Sequence, residues 1–491
     1  MTHNRRHKRF SELLERLPQG RVLSGRAELV SGIEIDSRAV TRGDLFVALR
    51  GEHTDGHRFV GDALRRGAAA VVVETSVEAP DPDGAAVVCV PDTKRALSQL
   101  AAAFYGDPSR GLDVIAVTGT NGKTTVTHMV CSVLDAAGID CGVIGTVGAQ
   151  FGNSSWGLHN TTPLPPELHG VLAAMRDDGA RAVALEVSSH ALALGRVEDV
   201  VFSLAALTNV TRDHLDFHGS HDAYAAAKRR LFEMAPKCAI NIDDVYGAAW
   251  ALELRRSGHE VIAYGSGQGA DLVPEQIVVG SSGSSFIVNR RQYELALPGR
   301  FNVWNALAAI GIARFMQIDD ETIANGLASL QRVPGRMERV HGLGIDVVVD
   351  YAHTPDALRS ALLALGEMKA GALAVVFGCG GDRDRGKRAE MGAIAAELAD
   401  RIYLTNDNPR SEEPEAIVRD IVDGIADGHR YQVELDRRTA IERAIAQARA
   451  GDVVLVAGKG HESYQIIGDR VLSFDDLAVA REALAKQGTL H

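Results

Sequence analysis

The sequence predicts an α/β protein built from parallel sheets that are covered by helices. Short apolar runs alternate with helical segments through residues 112–334, and the same alternation returns through residues 335–491. In addition, the apolar run 114–117 leads through a glycine-rich turn directly into a helical pattern, which is the start of a βα unit. With 491 residues, the chain is longer than a single hydrophobic core usually supports, so we expect three domains.

The first part of the chain, residues 1–111, contains short strands and turns. The predicted strands cover residues 32–35, 43–49, 68–73 and 87–90, and a predicted helix covers residues 93–105. Gly106-Asp107-Pro108-Ser109 then interrupts the chain, because glycine, aspartate, proline and serine favour turns. We therefore place the first domain boundary at residue 111.

The remaining two parts continue with strands and helices in alternation. In the second part, strands are predicted at 114–117, 182–187 and 204–207, and a helix with a basic end at 223–232. In the third part, which begins after Pro334-Gly335, strands are predicted at 345–350, 372–377, 402–405 and 453–457, and helices begin at Pro355, Lys387 and Pro414. Ligands of open parallel sheets bind at the carboxyl ends of the strands, so the loops after these strands are the places to search for a site.

Composition and charge exclude several classes of protein. The net charge of −12 argues against a nucleic-acid or membrane-surface partner, since both require a positive surface, although a local basic pocket could still hold a small anion. No stretch approaches the roughly 20 apolar residues of a membrane span, and no apolar segment follows the basic start, so neither membrane insertion nor a signal peptide is expected. Five scattered cysteines, none with metal-binding spacing, favour reduced thiols in a cytoplasmic protein.

The segment 118–125 has the composition of a phosphate-binding loop. Its glycines let the backbone approach phosphate oxygens, and free N–H groups at the start of the following helix would point at them. Lys123 would neutralise phosphate charge, and the Thr124 hydroxyl would bind Mg²⁺. Because Val117 stands where the full Walker pattern has glycine, the loop is a shortened variant. The residues expected to bind ATP are Gly119, Thr120, Asn121, Gly122, Lys123, Thr124 and Thr125.

Two further polar segments follow predicted strands of the same part. Glu186 ends the apolar strand 182–187 and is placed to reach a metal beside the phosphate loop; the alternative is a strand-end acid that faces solvent. The segment 208–219 contains His214 and His218, whose spacing of four would suit zinc on a helix. Mg²⁺ is favoured, because a His-Glu-x-x-His motif is missing and a triphosphate site prefers oxygen ligands.

Lys228 and two loops of the third part contain the remaining candidate residues. Lys228 lies near the end of its predicted helix, where a lysine also stabilises the helix dipole, and spacing alone does not distinguish the two roles. The loops 378–388 and 406–410 are basic and rich in glycine or polar residues. Their arginines would fit a carboxylate and Asp407 would accept an ammonium, so together they predict a clamp for an amino acid; solvated surface loops are the alternative.

These residues resemble the Mur ligases, a family of ATP-dependent amide-forming enzymes of peptidoglycan precursor synthesis. The resemblance extends over nearly the whole chain. The matching motifs are Asp36-Ser37-Arg38 with residues 43–48, the loop 119–125, Asn160-Thr161-Thr162-Pro163, residues 186–190, Lys228, residues 302–306, 334–338 and 350–355, and Gly458-Lys459-Gly460-His461-Glu462.

The resemblance implies a fold and a mechanism. It implies a nucleotide-sugar domain at 1–111, a P-loop ATPase-like domain at 112–334 and a Rossmann-like amino-acid domain at 335–491. The γ-carboxylate of the D-glutamyl residue in UDP-N-acetylmuramoyl-L-Ala-D-Glu would attack ATP, forming an acyl phosphate that an amine then displaces. The family uses Mg²⁺, and it implies that Lys228 carries a CO₂-derived carbamate, which helps to hold a second Mg²⁺.

The resemblance also assigns site residues. Lys123, Glu186, His214 and Lys228 would be catalytic; Thr124, Glu186, His214 and carbamylated Lys228 would bind metal, and Asn302 and Arg336 would bind ATP. Contacts to the nucleotide sugar would come from Ile35, Ser37, Glu52, His53, Thr54, Asn160, Thr161, Thr162, Ser188 and Arg196. A familiar glutamine of that site is Leu194 here and is not carried over. Meso-diaminopimelate would be bound by Arg383, Asp407, Asn408, Pro409, Arg410, Gly458 and Glu462, since the diaminopimelate-adding members carry Asp-Asn-Pro-Arg.

Three alternatives remain open from the sequence. A lysine-adding ligase of the same family would have no use for Arg410, and a folylpolyglutamate synthase would lack the N-terminal part with Asp36-Ser37-Arg38. A nucleotide-dependent switch without catalysis would leave the clamp loops unexplained. For an enzyme that adds diaminopimelate, we expect a cytoplasmic monomer with no nucleic-acid partner.

Overall fold

The computed structural model describes residues 6–51, 54–74, 84–280, 282–426 and 428–488. The chain forms two compact units. Unit 1 comprises the chain up to Ala116 together with Ile139–Leu204 and Arg230–Pro236. Unit 2 comprises Val117–Gly138, Ala205–Arg229 and the chain from Lys237 onward.

Strands and helices alternate through the first half of the chain. The elements up to residue 111 are β1 (Lys8–Arg9), α1 (Phe10–Leu14), β2 (Arg21–Ser24), β3 (Leu29–Val30), β4 (Ile33–Glu34), β5 (Leu45–Val47), α2 (Val60–Arg65), β6 (Ala70–Val73), β7 (Ala86–Cys89) and α3 (Thr93–Phe104). From 112 to 264 they are β8 (Asp113–Thr118), α4 (Lys123–Ala136), β9 (Cys141–Gly145), β10 (Gly148–Phe151), β11 (Ser154–Trp156), α5 (Pro165–Asp177), β12 (Ala182–Glu186), α6 (Ser189–Ala193), β13 (Leu204–Leu207), α7 (Leu215–His218), α8 (His221–Arg229), β14 (Lys237–Asn241), α9 (Val245–Arg256) and β15 (Glu260–Tyr264).

The later elements begin with a group of short antiparallel strands. Up to residue 334 they are β16 (Glu275–Gly280), β17 (Gly283–Val288), β18 (Arg291–Leu295), α10 (Arg300–Phe315) and α11 (Asp320–Ser329). Beyond it they are β19 (Glu338–Gly342), β20 (Ile345–Asp350), α12 (Pro355–Met368), β21 (Leu373–Phe377), α13 (Gly386–Leu398), β22 (Arg401–Leu404), α14 (Pro414–Val422), β23 (Tyr431–Val433), α15 (Arg437–Ala446), β24 (Val453–Ala457), β25 (Tyr464–Ile467), β26 (Arg470–Ser473) and α16 (Asp476–Gly488).

Among the described residues, unit 1 contains a two-stranded antiparallel sheet of β1 and β3 and two larger groups of strands. The first is a five-stranded sheet in the order β2-β7-β6-β5-β4, parallel except for β2. Every residue of β6 is buried, since apolar side chains cover both faces, as is usual for parallel strands between two layers. The second group has the order β11-β10-β9-β12-β8, in which β9 and β12 are parallel and β10 and β11 form an antiparallel hairpin.

Unit 2 contains neighbouring strands in the order β13-β14-β15, of which β14 and β15 are parallel, and a separate antiparallel sheet β16-β17-β18. It also contains a six-stranded sheet in the order β19-β20-β24-β21-β22-β23, parallel from β20 to β23, and the β25-β26 hairpin. The predicted α/β class is confirmed. Because β21, β22 and β24 are parallel neighbours, the loops that follow them lie at the same edge of the sheet.

The oxidation state of the cysteines differs from the prediction at two positions. Cys89, Cys238 and Cys379 are free, but Cys131 and Cys141 are both disulfide-bonded. The expectation of reduced thiols throughout was therefore wrong for these two residues.

None of the described helices is long and apolar enough to cross a membrane.

Candidate functional site

The phosphate loop in unit 2 has the backbone that its glycines predict. Gly122 caps α4 with a φ of +89°, and Gly119 has a φ of +148°. A Cβ at Gly122 would lie 2.3 Å from Asn305 Oδ1, and one at Gly119 would lie 1.8 Å from Thr208 Oγ1. Both positions therefore exclude a side chain, and the backbone N–H groups at the start of α4 are of the kind that bind anions.

The two key side chains of the loop have protein partners. Lys123 Nζ donates hydrogen bonds to the carbonyl oxygens of Gly119 (3.0 Å) and Thr120 (2.9 Å). The buried hydroxyl of Thr124 accepts one from Arg336 Nη2 at 2.8 Å. The Arg336 guanidinium lies 4.7 Å from the centre of the Tyr351 ring. Arg336, predicted to bind ATP, thus contacts the phosphate loop.

Asparagines support the loop from two directions. The Asn121 side chain donates to Asp356 Oδ2 at 2.8 Å. Asn302 Oδ1 accepts from Asn305 Nδ2 at 3.0 Å, and Asn302 itself donates to the Pro298 carbonyl. Since Asn305 packs against Gly122, Asn302 is connected to the loop through one residue.

Lys228 is buried against the phosphate loop. Its side chain is 1% exposed, and Nζ donates to the Gly119 carbonyl at 2.8 Å and lies 4.4 Å from the centre of the Tyr224 ring. Burial, with a contribution from the nearby Lys123, lowers the pKa of Lys228 well below its usual value. Lowering the pKa favours the neutral amine, which is the nucleophilic form of lysine.

Asp213 and His214 lie beside the loop. Burial alone would raise the pKa of Asp213, but the positive charges of His214, His353, Lys387 and Lys123 lower it to about 2. His214 has a φ of +53°, and its Nε2 lies 3.2 Å from Asp213 Oδ2. The loop therefore has an ionised carboxylate close to its cations.

The donors around the loop fit Mg²⁺ bound together with a triphosphate. They are hard oxygen ligands, namely the Thr124 hydroxyl and the ionised Asp213 carboxylate. Within the described ranges, no group of three or more His, Cys, Asp or Glu side chains could hold a metal by itself. Mg²⁺ usually retains water and phosphate ligands, so a partial protein set suits it.

Glu186 lies in unit 1, where Thr146 binds its carboxylate. The backbone N–H of Thr146 donates to Oε1 at 2.9 Å and its hydroxyl to Oε2 at 3.0 Å. Glu186 is 1% exposed, so the alternative of a solvent-facing acid is wrong. A Cβ at Gly145 would lie 2.1 Å from Oε1, which explains the glycine there.

The predicted nucleotide-sugar residues of the second sheet form a connected group near Glu186. Thr161 Oγ1 lies 3.1 Å from Thr146 Oγ1, and the Thr162 hydroxyl donates to the Glu186 carbonyl at 2.8 Å and accepts from the Ser188 N–H. Arg196 Nη1 donates to the Thr162 carbonyl at 3.0 Å. Arg196 Nε is buried without a hydrogen-bond partner among the described residues, and burial lowers the pKa of Arg196.

The other predicted nucleotide-sugar residues also belong to unit 1. Ser37 is buried, Ile35 and Asn160 are half-buried, and Thr54 is exposed. Glu52 and His53 lie outside the described residues.

Most residues predicted to bind the amino acid lie in two loops at the carboxyl edge of the six-stranded sheet, the clamp loops after β22 (406–410) and after β24 (458–462). Asn408 Nδ2 donates to Glu462 Oε2 at 3.0 Å, which joins the loop after β22 to the loop after β24. The fully buried Lys459 donates to both Asn408 Oδ1 (3.1 Å) and Glu462 Oε2 (3.0 Å). A Cβ at Gly458 would lie 2.6 Å from Asp407 Oδ2, so the two residues are adjacent.

Arg410 and Arg383 lie at the outer part of this clamp. Arg410 Nη1 donates to the Gly381 carbonyl at 2.8 Å and approaches the Asn408 carbonyl at 3.5 Å. Its backbone has a φ of +53° and pairs with Ile467. Arg383 donates to the adjacent Asp382 carbonyl. Pro409 is buried.

Sequence reasoning did not select several residues that support these side chains. Asp213 is adjacent to the selected His214, and Lys459 lies inside a matching motif, so both could have been found by asking which neighbours would pair with the selected groups. Asp356 and Thr146 gave no signal, because their roles depend on contacts 235 and 40 residues away in sequence.

Three family models match the chain. They are the Mur ligase family catalytic domain at residues 29–105, the Mur ligase middle domain at 117–313, and the Mur ligase glutamate ligase domain at 335–460.

Individual proteins match over 74% or more of this chain. A UDP-N-acetylmuramoyl-L-alanyl-D-glutamate--2,6-diaminopimelate ligase from Syntrophomonas wolfei is 44% identical, covering 93% of this chain and 94% of its own. A solved structure of a ligase of the same name is 34% identical, with a TM-score of 0.65 over 94% of this chain and 96% of its own. A folylpolyglutamate synthase of Mycobacterium tuberculosis, at 19% identity, shares the fold with a TM-score of 0.61 over 74% of this chain and 92% of its own.

Proposed function

We propose that this chain, which belongs to the Mur ligase family, is the ATP-dependent ligase that adds meso-diaminopimelate to UDP-N-acetylmuramoyl-L-Ala-D-Glu. Relatives of that name are 41–45% identical over nearly its full length. The observation in the structure that supports the proposal is the hydrogen bond between Asn408 and Glu462, because it connects the loop after β22 to the loop after β24, and both loops contain residues of the proposed amino-acid site.

The chemistry requires an activated carboxylate, because a carboxylate is a poor electrophile at neutral pH. The γ-carboxylate of the D-glutamyl residue attacks the γ-phosphorus of ATP; an acyl phosphate forms and ADP leaves. The amine of diaminopimelate then attacks the acyl carbon, and the tetrahedral intermediate expels phosphate to leave the amide. Thr124 would hold Mg²⁺ in part, and the bound ion would neutralise charge during phosphoryl transfer.

The residues of this chain perform the remaining work. Lys123 exchanges the carbonyls of its own loop for phosphate oxygens and offsets their charge. Arg336 and Asn302 lie next to the phosphate loop and are proposed to bind ATP. The positive charges around Asp213 keep its carboxylate ionised beside the reacting groups, and His214 orients it through its ring.

Lys228 is proposed to be carbamylated. Formation of a carbamate requires a neutral amine that attacks CO₂, and the low pKa of Lys228 favours that form. The carbamate would be an anion able to help hold Mg²⁺ beside the phosphate loop, together with His214 of the same unit. Support comes from the burial of Nζ against the phosphate loop.

The nucleotide sugar is proposed to bind in unit 1. Thr161, Thr162, Ser188 and Arg196 supply hydroxyls and a cation in one connected group. Asn160, Ile35, Ser37, Glu52, His53 and Thr54 complete the proposed set. The proposed domain limits remain 1–111, 112–334 and 335–491.

Diaminopimelate is proposed to bind through Arg383, Asp407, Asn408, Pro409, Arg410, Gly458 and Glu462. Asp407 and Glu462 accept from its ammonium groups, and the arginines pair with its carboxylate. A cytoplasmic monomer is proposed, since one chain provides all three sets of residues and ATP is a cosubstrate. Light scattering of the purified protein tests the monomer.

The test is a coupled ADP-release assay. With ATP, Mg²⁺ and the UDP-muramoyl dipeptide present, diaminopimelate should give rapid ADP release, and lysine offered in parallel should give little. Lys123→Ala serves as the inactive control. Equal turnover with lysine would contradict the substrate assignment, and ADP release independent of both amino acids would contradict a ligase.

A further inference from the structure

Arg437, the first residue of α15, lies beneath the proposed clamp. Its side chain and that of Asp476, the first residue of α16, are both completely buried. The guanidinium forms a bidentate pair with the carboxylate: Nε lies 2.8 Å from Oδ1 and Nη2 lies 2.7 Å from Oδ2. Burying two charges is costly even when they are paired, so the pair alone does not explain why it is there.

The guanidinium has two further acceptors, each at the start of a clamp loop. Nη1 donates to the carbonyl of Asn406 at 3.2 Å, and Nη2 donates to the carbonyl of Ala457 at 3.0 Å. Asn406 immediately precedes Asp407, and Ala457 immediately precedes Gly458. One planar group therefore binds the backbone at the entrance of both clamp loops.

The two carbonyls that Arg437 binds lie at or just after the ends of strands that are not neighbours in the sheet. Ala457 ends β24, and Asn406 follows β22, but β21 lies between these strands in the sheet. Strand pairing between β22 and β24 therefore does not fix the distance between the two loops. Arg437 connects the two loop entrances directly, across the end of the intervening strand.

We propose that Arg437, held by Asp476, is a positioning residue that sets the spacing between the two clamp loops and thereby the recognition of diaminopimelate. The inference rests on the proposed function. Asp407 and Glu462 are the acidic groups of the clamp, and the charges of both act on Arg437. The planar guanidinium of Arg437 donates its four hydrogen bonds in fixed directions. The ammonium group of a lysine cannot form this arrangement.

The test compares steady-state kinetics of the full-length enzyme and Arg437→Lys. Displacing a supporting group typically costs about 10- to 100-fold in binding. The KM for diaminopimelate should therefore rise by about that factor, and the ratio of kcat/KM for diaminopimelate to that for lysine should fall. The KM values for ATP and the UDP-muramoyl dipeptide should stay unchanged. Asp476→Asn, which keeps the shape but removes the countercharge, should shift the same quantities in the same direction.

The matched control is Ile441→Ala, a fully buried apolar position on the same helix. It should lower the melting temperature and leave the selectivity ratio unchanged. The inference is wrong if Arg437→Lys keeps the wild-type ratio, or if Ile441→Ala lowers it equally, since either result would make the pair merely structural. Failure of the unaltered enzyme to use diaminopimelate would refute the proposed function and the inference together. Asp476→Asn decides the question if Arg437→Lys does not fold.

Discussion

Arg410 provides the sharpest test of the amino-acid assignment. One of its nitrogens, Nη1, donates to the Gly381 carbonyl. Among the described parts of the chain, neither Nε nor Nη2 has a hydrogen-bond partner. Arg410 thus braces its loop with one nitrogen, and the other two can pair with the second carboxylate of diaminopimelate, which lysine lacks.

Loss of the loop contact of Arg410 and loss of its contact with the substrate should have effects of different size, seen in different measurements. Losing the brace removes a hydrogen bond from a charged donor, which costs about 1.5–3 kcal/mol of stability. Losing a buried charge-assisted pair with the substrate costs about 2–5 kcal/mol, or roughly 30- to several-thousand-fold in kcat/KM. The first appears in the melting temperature, and the second appears in the selectivity between the two amino acids.

The assay measures kcat/KM for diaminopimelate and for lysine with Arg410→Lys and Arg410→Ala. Arg410→Lys keeps a cation that can brace Gly381 but loses the fork, so we expect most of the selectivity to disappear with little change in melting temperature. Arg410→Ala should lose both. A selectivity ratio that is unchanged in both variants would show that Arg410 only braces the loop.

Three further predictions concern other parts of the chain. Lys123→Ala should lower kcat by about 10²- to 10³-fold at saturating ATP, because it removes a group that stabilises developing phosphate charge; near-normal turnover would contradict the ATP site. Lys228→Ala should lose activity that acetate partly restores, and density for a bare ammonium in crystals grown with Mg²⁺ and bicarbonate would argue against the carbamate. His169 is buried, with both ring nitrogens unpartnered among the described residues, and burial lowers its pKa to about 4 from 6.5. Because the unfolded chain binds this proton at a higher pH than the folded chain, the free energy of unfolding should be greatest above pH 6.5 and fall by up to about 3 kcal/mol towards pH 4. The melting temperature should fall over the same pH range. His169→Leu should flatten this pH dependence, whereas the control His259→Leu should leave it unchanged.

Much of the fold was predictable because burial sets the pattern of parallel strands. Strands covered on both faces appear as continuous apolar runs, and β6, β20 and β24 were located to within two residues in this way. The sheet β16-β17-β18 was not predicted, since its strands have no continuous buried run and no helices lie between them. The β10-β11 hairpin was missed for a different reason: its short strands carry few apolar residues.

The candidate site was predictable only where its chemistry is local in sequence. The phosphate loop is one continuous segment, so its glycines and Lys123 identify it. Lys228 could not be separated from an ordinary helix-end lysine, because its burial depends on contact with Gly119, 109 residues away. Arg437 had no visible role for the same reason: both acceptors come from distant strand ends.

The hydrogen bond between Arg336 and Thr124 has a consequence for biosynthesis. Its partners are 212 residues apart in the chain. At a translation rate of about 5–20 residues per second, Arg336 leaves the ribosome roughly 10–40 s after Thr124. Throughout that interval the nascent chain carries a phosphate loop whose Thr124 hydroxyl lacks its arginine. An elongating polypeptide therefore holds an unfinished phosphate loop until the segment that contains Arg336 has been synthesised.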